Sequence, residues 1–378
     1  MKIAVIAARY SVSGVPLTQI RFARALGRRG HQVDLIFGQL DDPGVLPADM
    51  PNVRLIVLGR ARARGMLLPL RAYLRRERPD AVFSSQDNLN GFVLLAAILA
   101  GSRARISGSS RVPTQFTYGN TPFTRKWLFK HAMRLVMWRA DALTCVSEGM
   151  ARQYRELYAN ARHVTVYNLV DDGPSRARMA EPVDHPWFAD KTTPLIVSGG
   201  RFTPLKGFAD LIHATARLVQ HGRDVRTVIL GDGITRPELQ RLVAELGLED
   251  RVALPGQVAN PLRYFARADV FAMTSRHEGL GNVLIEAMMC GCSLVAMDCP
   301  PGGPAEILGH GRYGRLVPVG DIDALAAALA HQLDHPTDPA LLAEGLARFG
   351  EDAVLARHFE LLGLAHPDRP GAWEPQGS

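Results

Sequence analysis

The chain reads as an α/β protein with two doubly wound, mostly parallel sheets. Three observations predict this. Short apolar runs alternate with longer amphipathic runs through most of the sequence, the βαβα pattern that builds parallel sheets. At 378 residues the chain is too long for one ordinary core, and two domains of about 180 residues are expected. Residues 171–194, with four prolines and mixed charge, break the alternation and read as the connection between the two. The expected boundaries are a first domain at 1–172, a linker at 173–193, a second domain at 194–350, a last helix within 351–366 and a loose tail at 367–378.

The elements follow in order. Residues 3–7 read as a first buried strand, so the start Met1-Lys-Ile-Ala-Val-Ile-Ala-Ala is not expected to be a signal peptide. Residues 16–30 read as a helix, with Ile20, Ala23 and Leu26 near helical spacing. Residues 33–37 read as a strand with alternating burial, and 53–58, 81–84 and 142–146 as further strands. The apolar run 91–101 is too short to span a bilayer and reads as a core helix. In the second half, 195–200 is a strand ending in glycines, with a helix from about Ala209. Residues 227–230 are a strand, followed by Gly231-Asp-Gly233 and a helix at 237–246. Residues 269–274 read as a buried strand, with a helix after Gly281. A final helix at 353–362 comes after the second sheet is complete.

Composition narrows the class. Hydrophobic residues make up 47% and aromatic residues 7%, as in soluble globular α/β proteins. The four cysteines, Cys145, Cys290, Cys292 and Cys299, fall in helix or strand core patterns. They read as buried thiols rather than a metal site or a disulfide framework. Charge is uneven: residues 1–190 hold 27 basic and 15 acidic side chains, and the remainder holds 17 and 22. A basic first half points to an anionic partner, but no nucleic-acid motif accompanies it.

The chemistry concentrates in the second half. Glu278 and Glu286 stand in Ser275-Arg-His-Glu278-Gly-Leu-Gly-Asn-Val-Leu-Ile-Glu286, the first in a loop leaving a strand, the second about one turn inside the next helix. That crevice is where open α/β sheets take ligands. Gly279, Leu280, Gly281 and Asn282 lie between the acids, where helix-start N–H groups can meet an anion. Two acids around such a start suit a ligand with hydroxyls on both sides of a phosphate, a nucleotide sugar for example. Arg201 and Lys206 bracket the loop after residues 195–200 and supply the positive charge that phosphate requires. Asp321-Ile-Asp323 matches a bare Asp-x-Asp metal pattern, but its place before an alanine-rich helix favours helix capping.

Gly199-Gly-Arg-Phe-Thr-Pro-Leu-Lys206-Gly, Gly231-Asp-Gly233, the segment from Glu278 to Glu286, and Gly302-Gly-Pro-Ala-Glu306-Ile-Leu occur in that order. This set resembles the retaining glycosyltransferases of family 4, including members that build bacterial surface glycans. The resemblance implies the GT-B fold: two Rossmann-like domains with a cleft between them, the first binding the acceptor and the second the donor, and a terminal helix that crosses back to the first domain. It implies that Glu286 holds the ribose hydroxyls, that Glu278 approaches the donor hexose, and that Arg201 and Lys206 stabilise the leaving diphosphate without a metal. It also implies donor contacts from Gly14, Gly231, Gly233, Gly279, Leu280, Gly281 and Asn282. The pattern departs from the family at two places. Gly14 stands alone where a glycine pair is common, and residues 105–113 lack the histidine often found there. Ser109, Ser110 and Arg111 are the acceptor-side candidates in its place, and His131 reads as structural.

The expected activity is transfer of a hexose or N-acetylhexosamine, from a UDP-sugar in preference to a GDP-sugar, to a lipid-linked or glycan hydroxyl. No cofactor, metal or nucleic acid is expected, and the location implied is cytoplasmic, peripheral on the membrane's inner face. Rival readings are a nucleotide-sugar epimerase or hydrolase on the same fold, and a basic binding protein with a vestigial cleft. Residues 125–139 carry basic and aromatic residues at helical spacing. They fit either an interfacial helix on an anionic membrane or a core helix with a charged outer face.

Overall fold

The computed structural model describes residues 1–9, 14–40, 46–47, 49–160, 162–189 and 191–365. The tail expected at 367–378 lies outside them. The chain forms two compact units: one spans Met1–Leu169 and resumes at Gly350, and the other spans Val170–Phe349.

The first unit alternates β1 (Lys2–Arg9), α1 (Gly14–Arg28), β2 (Gln32–Gln39), β3 (Val53–Val57), α2 (Leu67–Glu77), β4 (Ala81–Ser85), α3 (Asp87–Ala100), β5 (Arg105–Ser110), α4 (Thr114–Thr117), α5 (Arg125–Val136), β6 (Ala142–Cys145), α6 (Glu148–Tyr158) and β7 (His163–Thr165). All seven strands are parallel, in the order β3-β2-β1-β4-β5-β6-β7. The alternating burial expected of residues 33–37 is not found, because β2 is covered on both faces, as parallel strands are. Its one charge, Asp34, is held there by Arg54 at 2.7 and 2.8 Å and by the Tyr73 hydroxyl at 2.6 Å.

The second unit begins at Val170 and takes in the stretch expected as linker. Two short helices occupy it, α7 (Gly173–Arg178) and α8 (Pro186–Ala189). Asp172 caps α7, with Pro174 in its first turn. Asn260 and Arg263 donate to the carbonyls of Arg178 and Pro182 at 2.8 and 2.7 Å. The prolines thus start helices packed on this unit, which proline does well.

The elements then run β8 (Leu195–Gly199), α9 (Phe208–Gln220), β9 (Arg226–Leu230), α10 (Arg236–Glu245), β10 (Val252–Gly256), α11 (Leu262–Phe265), β11 (Val270–Met273), α12 (Asn282–Met289), β12 (Ser293–Met297), α13 (Gly303–Ile307), β13 (Arg315–Val317), α14 (Ile322–Asp334) and α15 (Pro339–Leu346). Six parallel strands lie in the order β10-β9-β8-β11-β12-β13. Strand order reverses between β8 and β11, the kind of switch point beside whose strand carboxyl ends open α/β sheets take ligands.

The last helix, α16 (Glu351–Leu362), belongs to the first unit. Val354, Leu355, Phe359 and Leu362 join the core formed by Ile3, Val5, Leu26 and Leu35. Glu351 and Asp352 at its start meet Arg28 at the end of α1 and Arg29 just after it, with Arg29 to Glu351 at 2.8 Å. Among the described residues no helix is long and apolar enough to cross a membrane.

Candidate active site

The β8–α9 loop carries Arg201 and Lys206, and the β11–α12 loop carries Glu278. Hydrogen bonds fasten the two loops together. The Thr274 hydroxyl donates to the Lys206 carbonyl at 2.9 Å, and the Arg276 amide donates to the Leu205 carbonyl at 2.8 Å. The Arg276 guanidinium also reaches Asp210 of α9 at 3.0 and 2.8 Å. Burial pushes the Asp210 carboxyl up, and Arg276 opposes that shift. Gly207 follows Lys206 at φ 61°, where a Cβ would lie 2.3 Å from the Thr274 carbonyl oxygen. The close approach needs both the left-handed backbone and the missing side chain.

This clamp brings Lys206 Nζ into an ion pair with the Glu278 carboxylate. Ser275 Oγ lies 3.4 Å from the same carboxylate, and the Glu278 amide donates to the Pro300 carbonyl at 3.0 Å. Cys299 is packed nearby, its thiol pushed up to about 12 by burial, with Glu278 adding to the shift. Arg201 is exposed and has no hydrogen bond or ion pair among the described residues. Gly279, Leu280 and Gly281 are buried and lead into α12, which Gly281 caps with no side-chain hydrogen bond. Asn282 opens α12, and Glu286 follows in its second turn. Glu286 lies by Cys290, whose thiol is pushed up to about 12 by burial first and by that carboxylate second.

Gly231 and Gly233 have a packing reason of their own. A Cβ on Gly231, at φ 138°, would stand 1.9 Å from the Gly200 carbonyl oxygen, and one on Gly233 would stand 2.4 Å from that of Phe202. The backbone these glycines approach is the neighbouring β8–α9 loop. Gly200 and Phe202 amides donate to Leu230 and Asp232 carbonyls at 2.9 and 2.8 Å. The glycines therefore shape the Arg201–Lys206 loop from behind.

In the first unit the structure divides the acceptor-side candidates. Ser109 and Arg111 line one small cavity. Ser110 turns the other way and donates to buried Asp87 at 2.7 Å, beside the Tyr118 and Tyr154 hydroxyls at 2.9 Å each. Burial pushes the Asp87 carboxyl up against these three donors. Gly14 opens α1. The His131 ring lies 4.2 Å from that of Trp127, both in α5, with the planes tilted by 54°.

Sequence reasoning missed Asp210, Thr274 and Arg276, which hold the second unit's loops together; in the first unit it did not single out His358 or Gln19, which line the cavity with Ser109 and Arg111. Arg276 lay inside the quoted motif, but its carboxylate partner stands 66 residues earlier. The Asp321 side chain accepts from the Ala324 amide at 2.9 Å, capping α14 as expected. Cys290 and Cys292 thiols reach main-chain carbonyls of Leu262 and Phe265 at 3.5 and 3.0 Å.

The chain matches a family model described as "Glycosyl transferases group 1" over residues 193–335 and one described as "Glycosyl transferase 4-like domain" over 13–168. It is 33% identical over 230 residues to the lipopolysaccharide core biosynthesis glycosyltransferase LpsD of Rhizobium meliloti, covering 58% of this chain and 63% of that one. It is 40% identical over 257 residues to the N-acetylgalactosamine-N,N'-diacetylbacillosaminyl-diphospho-undecaprenol 4-alpha-N-acetylgalactosaminyltransferase of Campylobacter jejuni, covering 68% and 67%. Among solved structures, Anabaena HepE in complex with UDP superposes with a TM-score of 0.71 at 20% identity, over 96% of this chain and all of that one.

Proposed function

This chain belongs to the group 1 glycosyltransferases of the GT-B fold, and on that premise we propose a retaining enzyme that moves a hexose or N-acetylhexosamine from a nucleotide-diphosphate sugar to a glycan or lipid-linked hydroxyl. The observation that carries the proposal is the Lys206–Glu278 ion pair at the β8/β11 crevice, with exposed Arg201 in the same loop. When the sugar–phosphate bond breaks, negative charge grows on the departing diphosphate. Lys206 is held by Glu278 before the reaction and Arg201 stands in the same loop; cations aimed at the departing charge favour the transition state over the bound substrate. Glu278 keeps Lys206 oriented until the phosphate arrives and then turns to the sugar hydroxyls. Glu286 takes the ribose. The acceptor proton passes to the leaving phosphate on the face from which it departs, so the sugar keeps its anomeric configuration without a protein nucleophile. Two cations supply the charge that a divalent metal supplies elsewhere, which supports a metal-independent reaction. Gly14, at the start of α1, is the first unit's candidate for a donor contact.

UDP is preferred over GDP in this reading. The HepE neighbour holds UDP, and the Campylobacter relative's name gives a diphospho-undecaprenol acceptor. A thermal-shift panel of UDP- and GDP-sugars with their free diphosphates tests the donor, because a bound ligand raises the melting temperature by linkage. Stabilisation by one donor and its diphosphate supports the proposal; no stabilisation by any of them removes it. Turnover of donor without acceptor would favour the epimerase or hydrolase reading instead.

A membrane surface as second partner is supported by α5 and the residues around it. Of the helix only Met133 is buried, which favours the interfacial reading over that of a core helix. Phe123, Leu128, Leu135 and Trp138 are 84, 52, 76 and 62% exposed. No Asp or Glu occurs between Asp87 and Asp141, while Arg125, Lys126, Lys130, Arg134 and Arg139 do. Exposed apolar and aromatic side chains among cations fit a peripheral helix on the anionic inner leaflet.

A further inference from the structure

In the first unit a small cavity opens at the carboxyl ends of β4 and β5, where α1 and α16 meet them. Gln19, Ser107, Ser109, Arg111, Asn168 and His358 are among its polar lining residues. Gln19, Ser107 and His358 are only 4, 1 and 8% exposed. Gln19 Oε1, Ser107 Oγ, Arg111 Nε and His358 Nδ1 are buried without a hydrogen-bond partner. Buried polar groups are nearly always satisfied, so four at one place ask what satisfies them.

Charge narrows the answer. Arg111 donates to the Asn168 side-chain oxygen, and no carboxylate among the described residues pairs with it. Burial alone holds its guanidinium down to about 10. His358 faces Arg111, is pushed down to about 3 chiefly by burial, and stays neutral. A guanidinium N–H, a serine hydroxyl and an imidazole N–H make three donors around one space, and the Gln19 amide can turn its NH₂ inward as a fourth. A water would satisfy the hydrogen bonds and leave the charge unanswered. An anion satisfies both.

Size decides how much of the anion enters. The cavity admits water centres over about 10 Å³, roughly one water position. A sugar ring does not fit, but one oxygen of an oxyanion does, with the rest of the group at the mouth beside the half-exposed Arg111.

We infer that the first unit holds an oxyanion subsite built from Arg111, His358, Gln19 and Ser107, which takes a carboxylate or phosphate carried by the acceptor. The inference rests on the reading of the first unit as the acceptor side. It also gives α16 a binding role, since His358 comes from that helix.

The test uses the full chain with Arg201→Ala and Lys206→Ala, which removes the phosphate-binding cations of the second unit. Inorganic phosphate, acetate and chloride are titrated at constant ionic strength, reading melting temperature and calorimetric affinity. Phosphate or acetate is expected to stabilise this protein more than chloride does, and which of the two binds tighter identifies the acceptor group. Adding Arg111→Gln should weaken that oxyanion at least tenfold, and Arg111→Lys should recover part of the loss. Ser107→Ala, a smaller change, should weaken it several-fold and keeps the test decisive if Arg111→Gln does not fold. No oxyanion effect beyond chloride, or equal affinity in folded Arg111→Gln and Ser107→Ala variants, overturns the inference. UDP titrated into the unmodified protein separates the two proposals: UDP stabilisation without an oxyanion effect ends this one alone, and the reverse result ends the donor reading alone.

Discussion

Lys206 Nζ is ion-paired with the carboxylate of Glu278, 72 residues further along the chain. The crevice thus keeps its own counter-charge in place before a phosphate enters. In the proposed reaction an entering phosphate draws Lys206 from that carboxylate, which is then free to meet sugar hydroxyls.

Lys206→Ala is expected to lower kcat at least tenfold, within the about 10²–10³ that removal of one charge-stabilising donor costs. Folding should change little, because Lys206 and Glu278 are each partly exposed, at 25 and 19% of their side chains. Steady-state kinetics beside a melting curve reads both. Near-normal turnover would take Lys206 out of the mechanism.

Chelator should leave the rate unchanged. Turnover measured with and without excess EDTA, after dialysis, checks this, and a rate that vanishes and returns with a divalent cation would reverse the metal-independent reading.

Gly231→Ala should destabilise by a few kcal/mol, as strained backbone combined with overpacking does. Its Cβ would meet the Gly200 carbonyl oxygen at 1.9 Å, so donor affinity should fall with stability through displacement of the Arg201–Lys206 loop. Urea unfolding and UDP titration measure the two effects, and an unchanged urea midpoint would refute the packing account.

Acid should weaken the first unit through buried imidazoles. Folding depresses His358 to about 3 and His163 to about 4, by burial first and nearby arginines second. The unfolded chain takes up these protons first, so the stabilisation is full above the unfolded value of about 6.5 and is lost as pH falls toward the folded values. Each group contributes a slope of about 1.4 kcal/mol per pH unit over that window. His358→Gln should flatten the loss between pH 6.5 and 4 in urea-midpoint measurements; an unaltered slope would show that His358 is not buried neutral.

Trp138→Ser with Leu135→Ser should reduce sedimentation with phosphatidylglycerol vesicles, leaving the melting temperature near its original value because both side chains are exposed. Equal binding by the double variant would remove α5 as the contact.

The positions of the second unit's candidate residues were legible because each lies in a short strand–loop–helix segment whose local pattern gives its place. Glu278 after β11, and Arg201 and Lys206 after β8, follow from where strands end. The partners that hold them were not legible: Asp210 and Arg276 look like ordinary surface charges until α9 and the β11–α12 loop are neighbours. Strand β5 escaped because Arg-Ile-Ser-Gly-Ser-Ser lacks the apolar run of a buried strand. Its serines are tolerated inside where buried groups meet them, as Asp87 meets Ser110.

The sequence by itself determined two α/β units, the family, the loops that carry Arg201, Lys206 and Glu278, and the helix that carries Glu286, since apolar periodicity and glycine spacing are properties of neighbouring residues. Tertiary structure alone decided that β8 and β11 lie side by side, that Gly231 and Gly233 brace a loop, that Ser110 and Arg111 face different neighbours, and that α16 brings His358 to the first unit. These depend on packing between segments tens to hundreds of residues apart, and an amphipathic helix or a lone charge does not name its partner.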